Sequence, residues 1–147
     1  MKTEDETSTP WKLLRLTYGL VPIVAGIDKF TNILTTWTKY LSPAVRDVLP
    51  MSPSKFMMIV GVIEIVAGLL VLSRYTRFGA YLVSAWLLGI AINLVTTGTY
   101  FDIAVRDAVM AIGAFALAKL SEARAHAAAG TPARPSPRIG APAHAMG

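Results

Sequence analysis

The chain has 147 residues, 54% hydrophobic and only 16% charged, with a formal net charge of +5. A soluble globular domain carries about a quarter charged residues, so this composition points to one membrane bundle with no room for a separate soluble catalytic domain. There is no cysteine, which excludes disulfides, thiol exchange and thiolate metal sites. The basic residues flank apolar runs instead of forming an aromatic-rich basic face, which argues against nucleic acid.

Residues 1–10 are polar and acidic, without the cationic segment that opens a cleavable signal, so a polar N-terminal tail is expected. The first apolar stretch covers residues 13–34, opened by Trp11 and Lys12 at an interface, with Gly19, Pro22 and Gly26 inside it. Proline is tolerated in a membrane helix because neighbours satisfy the freed carbonyl, with a kink expected. The loop at 35–55 is the longest connection, and Trp37, Tyr40, Val45, Val48 and Leu49 suggest that it lies on the membrane surface. Within it, Ser42 followed by Pro43 is a cap and first-turn pair for a short interfacial helix that Pro50 ends.

The second stretch, 56–73, is preceded by a cap at Ser52 and by Pro53. Gly61, Glu64 and Gly68 share nearly one face, so close packing on the small residues turns Glu64 inward. Arg74 and Arg77 bracket a tight turn to the third stretch, 78–98, which contains Tyr81 and Trp86. These two aromatics are read as packing residues. Gly98 turns the chain into the fourth stretch, 103–120, which continues as an Ala-rich helix to about Ala129 and stops at Gly130 and Pro132. The remaining Pro-, Ala- and Gly-rich tail has too few large apolar groups to pack.

The fold class expected is therefore all-α, a polytopic bundle of four transmembrane helices over residues 11–121, with a helix extension and tail over 122–147. Basic residues cluster at the end that holds both termini and the second-to-third turn, so both termini are expected in the cytoplasm. Asp28, Lys29, Glu64, Asn93, Arg106 and Asp107 lie inside these stretches. Counted from the extracytoplasmic ends, Lys29, Asn93, Arg106, Glu64 and Asp107 fall in one layer about 7–13 Å deep. An unpaired charge near a bilayer centre costs at least about 2.5–3.5 kcal/mol, so Glu64 is expected to pair with Lys29 or Arg106, and Asp107 with the remaining base. Either residue of an adjacent charged pair can instead reach outward to the interface. The layer reads as polar glue that locks the helices in register, as a small-molecule or quinone-headgroup pocket open to the outer leaflet, or as a path for protons or ions. His126 and His144 are the only histidines and lie in the C-terminal region, so no intramembrane haem or metal site is expected from this chain.

Arg15-x3-Gly19, Ala25-Gly26-x2-Lys29, Gly61-x2-Glu64-x3-Gly68 and Arg106-Asp107 followed by Gly113-Ala114 and Leu117-Ala118 occur in that order. On these residues the chain resembles the DoxX-like membrane family, over about residues 13–120. Related groups include the small DoxD-type subunit of thiosulfate:quinone oxidoreductase and MauE-type proteins. The resemblance implies a four-helix bundle in a bacterial cytoplasmic (inner) membrane, linked to respiratory or redox systems, with quinone as a candidate cofactor. Gly19, Gly26, Gly61, Gly68 and Gly113 are then helix-packing positions. Two roles remain open: a non-catalytic accessory or assembly subunit of a larger membrane complex, or a quinone-linked oxidoreductase component with the polar layer as its site. The first is favoured because the chain has no nucleotide-binding loop and no visible electron carrier. Self-association is compatible with either role.

Overall fold

The computed structural model describes residues 2–130, and the side chains from residue 6 onward. Five α-helices run in chain order: α1 Lys2–Thr31, α2 Pro43–Val48, α3 Pro53–Leu72, α4 Thr76–Thr96 and α5 Phe101–Gly130, with a 3-10 turn at Trp37–Tyr40 before α2. No strand occurs among the described residues. The expected tail beyond Gly130 lies outside them.

The helix ends follow from local chemistry. Ser42 and Ser52 cap α2 and α3, their hydroxyls accepting from the N–H groups of Val45 and Lys55 at 3.3 and 3.4 Å, with proline in each first turn. Beyond α1, Asn32 adopts φ 51°, and beyond α4, Gly98 adopts φ 72°. This is the left-handed conformation that ends many helices, open to glycine and, among side-chain residues, best to asparagine. Ser73 and Thr76 make the α3–α4 turn, where the Thr76 hydroxyl donates to the carbonyls of Val71 and Ser73, both at 2.9 Å.

The N-terminus adds a feature that composition did not suggest. The polar segment before Trp11 is helical from Lys2, and α1 runs through both Pro10 and Pro22. It has a partner to lie on: the Trp11 indole donates to the Ser121 hydroxyl at 2.8 Å, and Arg124 donates to the Thr7 hydroxyl at 3.3 Å. Helical rise makes α1 and α5 about 45 Å long, against about 30 Å for α3 and α4, so the N-terminal end of α1 and the C-terminal end of α5 project together.

The four long helices pack in a ring, α1 on α3, α3 on α4, α4 on α5 and α5 on α1. Gly19 and Gly26 of α1 lie against Gly68 and Gly61 of antiparallel α3, and a Cβ added at any of them meets the facing helix. Gly79 makes a similar close approach between α4 and the end of α3, and Gly113 of α5 leaves room for the Tyr18 ring. At the end holding the chain termini, Ala67, Val71, Ala80, Val83, Ala114, Leu117 and Ala118 form an apolar core. The polar layer occupies the other end.

Outside, the long helices expose large apolar side chains, among them Leu20, Val24, Val62, Leu69, Ile92, Val109 and Ile112. Water-soluble proteins rarely leave so continuous an apolar surface. The helices α3 and α4 are long and apolar enough to cross a membrane, whereas the apolar runs of α1 and α5 include Arg15, Asp28 and Lys29, or Arg106, Asp107 and Lys119.

Candidate functional site

The close approach of Gly26 and Gly61 sets the centre of the polar layer. An α-helical Cα–Cβ bond tilts toward the helix N-terminus. Lys29 lies one turn beyond Gly26, and Glu64 one turn beyond Gly61, on helices of opposite direction, so the two side chains lean toward each other. Lys29 Nζ lies 2.5 Å from Glu64 Oε2, with side chains only 4% and 8% exposed. A charge pair this buried is tolerable only where hydrogen bonds satisfy what remains of each group. Glu64 Oε1 accepts from Trp86 Nε1 of α4 at a long 3.4 Å, and Lys29 Nζ sits 3.8 Å from the centre of the Trp37 ring. Trp86, read from sequence as a packing residue, thus also contacts the charged layer.

Asp28 does separate work. Its carboxylate accepts from the Thr31 hydroxyl at 3.0 Å, from the backbone N–H groups of Ile33 and Leu34 at 2.9 and 3.1 Å, and from Trp37 Nε1 at 2.8 Å. It thereby folds the chain back just after α1 and pins Trp37 over Lys29. Trp37, which the sequence offers only as one of the loop's apolar side chains, is half-buried in the layer, because Asp28 supplies an acceptor for its indole and Lys29 a cation for its face.

Asn93 ties the same loop to α4. Its Nδ2 donates to the Tyr40 carbonyl at 2.8 Å, and its Oδ1 accepts from the Ser42 N–H at 3.2 Å. Tyr40 packs edge-on against Tyr100, ring centres 4.9 Å apart.

The six candidates therefore divide. Lys29 and Glu64 meet directly, Asp28 joins them through Trp37, and Asn93 anchors the loop alongside. Arg106 is exposed, so the expected alternative of Arg106 as the partner of Glu64 is not taken. Asp107 is half-buried on α5 within electrostatic reach of Arg106, Glu64 and Lys29, yet makes no ion pair or hydrogen bond among the described residues. The expected pairing of Asp107 is corrected on that point: the remaining base, Arg106 on the preceding residue of the same helix, points about 100° away and reaches outward.

Sequence reasoning also missed a clamp at the opposite end. Arg15 of α1 donates through Nε to the Val71 carbonyl at 3.2 Å and through Nη2 to those of Leu72 and Ser73. The last carbonyls of α3 carry its partial negative charge, and a guanidinium satisfies several at once. An arginine inside an apolar run was the available signal.

All described buried side-chain nitrogen and oxygen atoms have a partner. Among the described residues, no group of three or more His, Cys, Asp or Glu is placed to hold a metal ion. Asp28, Lys29, Glu64 and Asn93 are thus each held by partners within the chain, across α1, the loop, α3 and α4.

The comparisons with known proteins agree in extent with these four elements. The DoxX family model matches residues 11–97, from Trp11 to just past α4, which includes Lys29, Glu64, Trp86 and Asn93. Arg106, Asp107 and Gly113 lie beyond the match. The searches of curated proteins and of solved structures found no match.

Proposed function

The chain belongs to the DoxX family, and from this premise we propose that it is a non-catalytic integral subunit or assembly partner of a larger membrane complex of respiratory or redox type. In this reading α1, α3, α4 and α5 all cross a bacterial cytoplasmic membrane, α2 lies at the outer interface, and both termini are cytoplasmic. The observation that carries the role is the saturation of the polar layer: the carboxylates of Asp28 and Glu64 and the amide of Asn93 are held by partners within the chain. A layer so engaged rigidifies a bundle and presents little to a substrate. The apolar outer faces then suit lipid and neighbouring subunits.

Orientation is supported by Lys12, Arg15, Arg74, Arg77, Lys119 and Arg124 at the terminus-bearing end, as the cytoplasmic excess of Lys and Arg requires. The ionisable residues in α1 do not oppose a crossing, because Arg15 and Lys29 are both partnered.

A second reading rests on Asp107. A half-buried acid beside the Lys29–Glu64 pair, without a hydrogen bond among the described residues, is suited to a polar headgroup, and quinone is the candidate. Affinity purification in mild detergent, with mass spectrometry of co-purifying proteins and analysis of bound quinone, separates the two. Stoichiometric protein partners without quinone support the subunit role; bound quinone that is lost on Asp107→Asn supports the other.

A further inference from the structure

We infer that the cleft between the N-terminal half of α1 and the C-terminal end of α3 binds one anionic phospholipid, its phosphate between Lys12 and Arg15 and an acyl chain along Leu16 and Leu72. This rests on the membrane-bundle reading above but not on the choice between its two roles.

Lys12, Arg15, Leu16 and Leu72 line a shallow cleft open to the outside. Positions three and four apart on a helix are neighbours, so Lys12, Arg15 and Leu16 form one patch on α1. Gly19 carries the patch onto α3, because its missing side chain lets Leu72 lie on the α1 backbone. The cleft thus has a cationic head and an apolar floor, as a lipid has an anionic head and an apolar tail.

The cations are supplied differently. Lys12 is exposed, its ammonium available at headgroup level. Arg15 spends Nε and Nη2 on the last carbonyls of α3, which fixes the guanidinium plane. A guanidinium has five N–H donors, and those on Nη1 are the edge left over for a phosphate oxygen. Arginine preorganised in this way loses little further freedom on binding a phosphate. Trp11, whose ring centre lies 5.0 Å from the guanidinium carbons of both Arg15 and Arg124, marks the interface where indoles collect. Basic clefts between membrane helices on the cytoplasmic side are suited to anionic headgroups.

The test uses the full chain, purified in mild detergent and equilibrated with phosphatidylglycerol and phosphatidylcholine of matched acyl chains, with retained lipid counted by native mass spectrometry. Phosphatidylglycerol should be retained in clear excess, and Lys12→Gln should cut that preference about fivefold, the effect of one basic residue near an anionic lipid. Lys39→Gln, at the other end of the bundle, should leave it unchanged. Equal retention of the two lipids, or an unaltered preference in Lys12→Gln, would overturn the proposal. Displacement of the bound lipid by millimolar glycerol phosphate would overturn it too, since the cleft would then be a bare phosphate site. Failure of the membrane reading would appear separately, as release of the native protein from membranes by alkaline carbonate.

Discussion

Lys29 and Glu64 lean toward each other from antiparallel helices and meet at 2.5 Å beside the close approach of Gly26 and Gly61. Removing one partner strands a buried charge, which costs about 3–5 kcal/mol. Glu64→Ala should therefore lower the unfolding free energy in detergent by about that amount, and adding Lys29→Met should restore part of it. A loss in the double variant equal to the sum of the losses of Glu64→Ala and Lys29→Met alone would show that the pair is not coupled.

The glycine contacts predict opposite signs for two identical substitutions. A Cβ at Gly61 would lie 2.6 Å from the Gly26 carbonyl oxygen, whereas one at Gly89 meets nothing within 4 Å. Gly61→Ala must force α1 and α3 apart and should destabilise by about 1–3 kcal/mol. Gly89→Ala should stabilise by about 0.5–1 kcal/mol through helix propensity. Thermal melts of the two variants in one detergent check the contrast.

The orientation proposed from the basic-residue bias is open to labelling. In this cysteine-free chain, Val48→Cys in α2 should be labelled by an impermeant maleimide only from outside, and Arg74→Cys in the α3–α4 turn only from the cytoplasm. Labelling in the reverse pattern would invert the orientation.

Much of this was legible in the sequence, and the exceptions share a cause. Depth counting placed Lys29 and Glu64 at one level, and the heptad of Gly61 and Gly68 turned Glu64 inward. Depth alone could not choose between Lys29 and Arg106, because that choice depends on how α1 and α5 are rotated about their axes. The capping serines and Gly98 were legible because their chemistry is local. The roles of Asp28 and Arg15 were not: Asp28 binds backbone N–H groups of a loop that folds back, and Arg15 the end of a helix more than fifty residues away. The contact of Trp37 with Asp28 and Lys29 was hidden with them, since the partner of an indole in a loop depends on how that loop folds back.

Beyond the apolar run of α5, Glu122 accepts from Lys119 at 2.6 Å and from the Tyr81 hydroxyl at 3.0 Å. The hydrogen bond from Lys119, then that from Tyr81, holds the Glu122 carboxyl below its usual range. A depressed carboxylate contributes stability that is present above its unfolded pKa and lost as pH falls through the lower folded one. The wild-type melting temperature should thus drop on acidification below about pH 4.3, and Glu122→Gln should flatten part of that drop. Identical pH profiles would show that this exposed cluster adds no stability.

The proposed role makes the Lys29–Glu64 layer a structural lock in a subunit of a larger complex. The most direct measurement compares the wild type with Lys29→Met/Glu64→Met, which removes both charges together and strands neither, by mild-detergent purification with mass spectrometry of the partners and analysis of bound quinone. Protein partners at the same stoichiometry in both, and no quinone in either, are expected. A wild type that carries quinone, lost from a double variant that remains folded, would contradict that role.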